Sequence, residues 1–301
     1  MRARHRTGRA PRTEGPDLKI VLFGLGKSGT SALFYKVVNS VPGRAIALFE
    51  PQSHGPVDRA REHLKALKRG YVARHVVAKV LPYGRRPVRL ADFDRFDRQV
   101  LIVRDPRDRL VSELLYRSYH ASFARRDEAA LRFVETLRRK EEDPSGVPLL
   151  RVVEAFESLE EAGGSVAAWL EAYRTEAVAR ALRFHDERPR LMLFRYEDLV
   201  DERFGAMEDY LGFPLEGDAR VPETLRRVVR TRGYGAWRHW FTAEDVHILR
   251  PALAPFMDRY YPGADWETAP APRIETEHAS LYARRLLDER RALTGLSPLP
   301  E

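Results

Sequence analysis

Five short apolar runs, each too uniform to be a half-exposed strand, mark the first two thirds of the chain. They are Lys19 to Phe23, Arg44 to Glu50, a segment within Tyr71 to Val80 that ends at Lys79, Arg98 to Arg104, and Arg190 to Arg195. Their length and their content of β-branched and aromatic residues predict strands buried on both faces. Between them the period changes. Thr30 to Val38 places apolar residues at helical spacing, 56–69 is polar and helix-compatible, and Pro106 is placed to open a helix from Arg107 to about His120. Residues 121–140 space Phe123, Leu131, Val134 and Leu137 among charges, as a half-exposed helix does. After the break at Gly163-Gly164, Ser165 caps an amphipathic helix bearing Val166, Trp169, Leu170 and Tyr173. Strands alternating with helices predict an α/β fold: a single domain with a parallel sheet of about five strands and helices on both faces. Further on, Thr242 and Asp245 form a capping box for a helix interrupted by Pro251. Glu277 to Leu293 fits an amphipathic helix packing Leu286 and Leu293, and the residues after it read as unstructured.

Charged residues stand where these strands end. In an open parallel sheet the ligand crevice lies outside the carboxyl ends, so Glu50, Lys79 and Arg104 can face one ligand. The first strand runs into Gly24-Leu-Gly-Lys-Ser-Gly-Thr-Ser31, a glycine-rich turn at a helix start. Such a turn aims backbone N–H groups and the positive end of the helix dipole at an anion, and Lys27 adds a mobile charge. Arg226 to His239, rich in arginine with Gly233, Gly235 and Trp237, has the composition of an anion-binding loop.

Composition narrows the class. The chain has 301 residues, 44% hydrophobic, a formal charge of +8, and far more arginine than lysine, which suits anionic partners. Part of the excess lies in Arg2, Arg4, Arg6, Arg9 and Arg12, which no apolar segment follows; 1–17 therefore reads as a disordered basic tail, 18–270 as the domain and 271–301 as a C-terminal helical extension. No apolar run approaches the ~20 residues of a membrane span, and the absence of cysteine fits a cytoplasmic location.

Taken together, four segments resemble the sulfotransferases that use 3′-phosphoadenosine 5′-phosphosulfate as donor, a family with a P-loop-like α/β fold. Lys27-Ser28-Gly29-Thr30-Ser31 is similar to the family's 5′-phosphosulfate loop, and Arg104-Asp-Pro-Arg-Asp-Arg-Leu-Val-Ser112 to its 3′-phosphate motif. Tyr196-Glu197-Asp198-Leu199 resembles its late-strand motif, and Arg232-Gly233 with Gly235 and Trp237 its C-terminal 3′-phosphate loop. The resemblance spans about Lys19 to Trp266. It implies that Lys27, Ser28, Gly29, Thr30 and Ser31 hold the 5′-phosphosulfate, that Arg104, Ser112, Arg232 and Gly233 hold the 3′-phosphate, and that Tyr196 lies beside the adenine. No metal is required, because arginine, lysine and loop amides supply the positive charge.

The catalytic base departs from one branch of that family. Many cytosolic members carry a histidine in a lysine-threonine-histidine motif on the third strand, and here that strand reads Lys79-Val80-Leu81-Pro82. Members acting on carbohydrates commonly place a glutamate at the end of the second strand, and Phe49-Glu50-Pro51 resembles that arrangement. The resemblance therefore implies Glu50 as general base, Lys27 at the leaving oxygen and Lys79 near the transferred sulfuryl group, with His54 as a reserve base. The acceptor expected is a small-molecule or carbohydrate-like hydroxyl, with an amine as a second class, and no nucleic acid. Arg107 and Arg109 read as helix-surface or ion-pair residues, and Asp105 and Asp108 as helix starters. Two rival classes stand beside this: a P-loop kinase, against which Val21 counts because it occupies a required glycine position, and a non-catalytic anion- or nucleic-acid-binding protein.

Overall fold

In the computed structural model, which describes residues 17–300 apart from 71, 72, 74 and 85, the apolar runs become the strands of one sheet. They are β1 (Lys19–Gly24), β2 (Ala45–Phe49), β3 (His75–Val80), β4 (Arg98–Val103) and β5 (Met192–Arg195), all parallel, in the order β2-β3-β1-β4-β5. The uninterrupted hydrophobicity has a direct cause. Ile20 and Leu22 of β1 enter one core with Val77, Val100 and Ile102, whereas Val21 and Phe23 enter the other with Ala78, Leu101 and Val103. A strand with helices on both sides has no solvated face to give to polar residues.

The first face is covered by α1 (Thr30–Ser40) and later by α8 (Tyr196–Val200) and α9 (Gly205–Leu211). α2 (Pro56–Lys68) lies outside, with Ala66 as its buried residue. The second face carries α3 (Pro106–Tyr116), α4 (Asp127–Glu142), α5 (Leu149–Leu159), α6 (Val166–Ala172) continuing through a π-helical stretch at Tyr173–Ala179 into α7 (Arg180–Asp186), and, after the short α10 (Trp237–Trp240), α11 (Ala243–Tyr260) and α12 (Ser280–Ala292).

Four segments differ from the pattern-based reading. Residues 122–125 form a 3-10 turn and the helix starts only at Asp127. α5 joins the helical layer with Leu149, Val152, Val153 and Phe156 buried. α11 runs through Pro251 and Pro255, because Leu249, Ala252, Leu253, Phe256 and Met257 bury a continuous stripe that outweighs the lost backbone bonds. Leu286 is fully buried as expected, but Leu293 is 66% exposed, one residue past the helix end. The last residues are tied down: Leu299 N donates to Asp288 Oδ1 and the Leu299 side chain is buried. The basic tail expected at 1–17 lies, but for Asp17, outside the described residues. Among the described residues no helix is long and apolar enough to cross a membrane.

Candidate active site

The chain reverses direction along the sheet at β1, which has β3 on one side and β4 on the other. A crevice opens at such a switch point, outside the carboxyl ends of the strands. Here it is a cleft of about 2370 Å³ that takes in Lys27, Glu50, Lys79, Arg104, Ser112 and Tyr196. Ligand pockets commonly measure ~300–1,000 Å³, so the cleft has room for two reactants together.

The loop after β1 is shaped from both ends. Gly29 has φ 82° and precedes α1, and a Cβ there would lie 2.3 Å from the Tyr196 ring, so glycine is required by backbone and by space. α1 then begins with no side-chain cap and no acidic residue in its first turn, which leaves its N–H groups for a ligand. Thr30 and Ser28 are buried at this turn. Lys27 has φ 67°, an uncommon conformation for a residue with a side chain. Its Nζ lies 4.1 Å over the Tyr116 ring and donates to the Val228 carbonyl at 2.6 Å. Burial, with Arg104 and Arg230 nearby, pulls the Lys27 ammonium well below the ordinary lysine range.

After β4, Arg104 is buried, donates from Nη1 to the Lys27 carbonyl at 3.1 Å and lies 4.4 Å over the Tyr196 ring. Its Nε and Nη2 are buried without a partner. Arg230 is in the same condition: 7% exposed, with Nε and Nη2 unpartnered, and brought down to about 10 by burial and by the charge of Arg104. A buried guanidinium nitrogen without an acceptor is costly, and a dianion with several oxygens satisfies such groups together. Ser112, buried two turns along α3, lines the same cleft. Arg232 and Gly233 stand differently: both are exposed, and of the two only Arg232 borders the cleft. The run from Arg226 to Arg232 signals a basic loop, but irregular backbone gives no period from which to pick Arg230 as the inward member.

At the end of β2, Glu50 is held at φ 53° with its N–H donating to the Lys79 carbonyl. Lys79 Nζ donates to Glu50 Oε1 at 2.6 Å and to Ser31 Oγ at 2.9 Å, and lies 4.0 Å over the Phe49 ring. Burial lowers the Lys79 ammonium, and Glu50 opposes the shift. The Lys79 side chain is buried while that of Glu50 is 44% exposed toward the cleft it lines. The partner of Glu50 is thus a lysine of the neighbouring strand. His54 is elsewhere: buried against Phe93 and Phe96, it does not line the cleft.

α3 holds the supports. Asp105 caps its start and pairs with Arg107, which is buried between Trp237 and Trp266 rather than spread on the helix surface. Asp108, buried, accepts from Gly235 N and Trp237 N at 2.5 and 2.9 Å and so fastens the C-terminal loop to α3. Arg109 is also buried, paired with Glu113 and stacked over Tyr173, so the surface reading holds for neither arginine and the ion-pair reading for both. Trp169 and Tyr173 stack on each other in the wall of the cleft.

No family model matches the chain, and no curated protein matches it. Among solved structures it is similar to mouse sulfotransferase SULT7A1 complexed with PAP, at 16% identity and a TM-score of 0.41, over 81% of this chain and 86% of that one. A likeness at that level speaks to neither substrate nor mechanism.

Proposed function

We propose that the protein is a sulfotransferase that moves a sulfuryl group from 3′-phosphoadenosine 5′-phosphosulfate to a hydroxyl of an acceptor. The observation that carries this reading is the set of unsatisfied cations at one switch point: Lys27, Arg104 and Arg230 converge with the bare N-terminus of α1, and four guanidinium nitrogens have no partner. The residues fit a donor with two anionic ends. Lys27, Ser28, Gly29, Thr30 and Ser31 would hold the 5′ end, while Arg104, Ser112 and Arg230 would hold the 3′-phosphate, with Arg232 and Gly233 at its exposed rim. Tyr196, under Arg104 and against Gly29, would border the nucleoside.

The donor, when bound, supplies an activated sulfur–oxygen bond. Glu50 takes the proton of the attacking hydroxyl as the new oxygen–sulfur bond forms, and the Lys27 ammonium stabilises charge on the 5′-phosphate oxygen as the old bond breaks. Lys79 fixes Glu50 and Ser31 relative to each other, so base and donor loop keep one geometry. The test follows radioactive sulfur from the donor into a panel of alcohols, sugars and amines. Glu50→Gln is expected to reduce transfer by ~10²–10⁴-fold, the range for loss of general-base catalysis, while adenosine 3′,5′-bisphosphate still binds within about threefold. Full turnover by Glu50→Gln would remove Glu50 from the role of base.

A further inference from the structure

The pairing of Glu50 with a buried cation is repeated on the opposite flank of the donor loop. Arg109, 4% exposed, donates from Nη1 to Glu113 Oε2 at 2.5 Å and to the Gly26 carbonyl at 3.4 Å. Each carboxylate thus has one oxygen held by a cation that also touches the loop, Lys79 through Ser31 Oγ and Arg109 through Gly26. Both glutamate side chains keep about two fifths of their surface exposed, 44% and 40%, and both line the cleft. Arg109, Glu113 and Tyr116 lie at i, i+4 and i+7 on one face of α3, and Tyr116 carries Lys27 Nζ over its ring. Glu113 acts electrostatically on Lys27, as Glu50 does on Tyr116, so both carboxylates border the reacting centre.

We propose that Glu113 is a second acceptor-facing carboxylate, so that the acceptor presents two hydrogen-bond donors on neighbouring atoms, a reacting hydroxyl to Glu50 and a vicinal hydroxyl or ammonium to Glu113. The inference rests on the sulfuryl-transfer reading and specifies its substrate class. An isolated alcohol or phenol would strip water from Glu113 and give it no donor in return, whereas a vicinal diol or amino alcohol satisfies both carboxylates. Arg109 is the positioning residue: it holds Glu113 against the donor loop, so the acceptor is placed relative to the donor from two sides.

The experiment uses the full chain, sulfur-labelled donor, and three probes: cyclohexanol, trans-1,2-cyclohexanediol and trans-2-aminocyclohexanol. Donor-site integrity is followed by calorimetric titration with adenosine 3′,5′-bisphosphate. The wild-type chain is expected to favour the diol or the amino alcohol over cyclohexanol by roughly tenfold or more in kcat/KM, the range set by one unmatched polar group. Glu113→Gln is expected to collapse that ratio toward one, with bisphosphate affinity within about threefold. Equal turnover of the three probes by the wild-type chain, turnover of none, or an unchanged ratio in Glu113→Gln would overturn the inference; the first two readouts need no variant. Bisphosphate binding without this preference overturns the inference alone, whereas absence of bisphosphate binding overturns the sulfuryl-transfer reading and the inference with it.

Discussion

At the scale of single residues, the site stores positive charge that its own carboxylates do not neutralise. Lys27 is depressed well below the ordinary lysine range by burial and by Arg104 and Arg230. An anion in the cleft favours the charged form and draws the proton back. Bisphosphate binding should therefore take up a proton at pH values above the depressed Lys27 value, and affinity should fall as pH rises through that value. Calorimetry in buffers of different ionisation enthalpy would show the uptake, and Lys27→Met should abolish it. Arg230 and Arg232 make a sharper contrast. Replacing buried Arg230 by alanine should weaken bisphosphate binding by ~30-fold or more, since a charge-assisted bond of ~2 kcal/mol or above is lost, while Arg232→Ala, at an exposed position, should change it by less than about threefold. In the sequence Lys27 and Arg104 could be found because each directly follows a strand. Arg230 and Glu113 could not: one lies in irregular backbone among other arginines, and the other is a common helix residue whose partner, Arg109, gives no sign of burial until α3 is seated.

At the scale of elements, the strands were legible because burial on both faces removes polar residues from them, and α3 because Asp105 and Pro106 mark its first turn. α11 was read as broken at Pro251, since proline inside a helix costs ~3 kcal/mol locally, yet the apolar stripe around it is long enough to keep the helix whole. The supports of the C-terminal loop were hidden for another reason. Asp108 looks like an ordinary first-turn acid, and its contacts with Gly235 and Trp237 span more than a hundred residues of chain. Asp108→Ala should leave those two N–H groups unsatisfied and destabilise the fold by about 3 kcal/mol. Chemical denaturation should register the loss, and the variant should also bind the bisphosphate more weakly because the loop bearing Arg230 is no longer fastened.

For the whole molecule, the arrangement reduces to one crevice on a parallel sheet. β1 and β4 end at the cations, β2 and β3 end at the Glu50–Lys79 pair, and the helical layer beyond α3 supplies the aromatic wall at Trp169 and Tyr173. The α/β class and the donor side of the crevice follow from strand ends, which a sequence displays. The acceptor side is assembled from α3, α6 and the segment before α10, whose mutual placement depends on packing. The central claim is that the cations hold a nucleotide with phosphates at both the 3′ and 5′ positions. Thermal unfolding with adenosine 3′,5′-bisphosphate, set against unfolding with magnesium ATP, tests it most directly, because a ligand stabilises the fold that binds it, by ~2.7 kcal/mol at a hundred times its Kd. A midpoint raised by several degrees with the bisphosphate, and unmoved by magnesium ATP, is the predicted result. Stabilisation by magnesium ATP with none from the bisphosphate would contradict it.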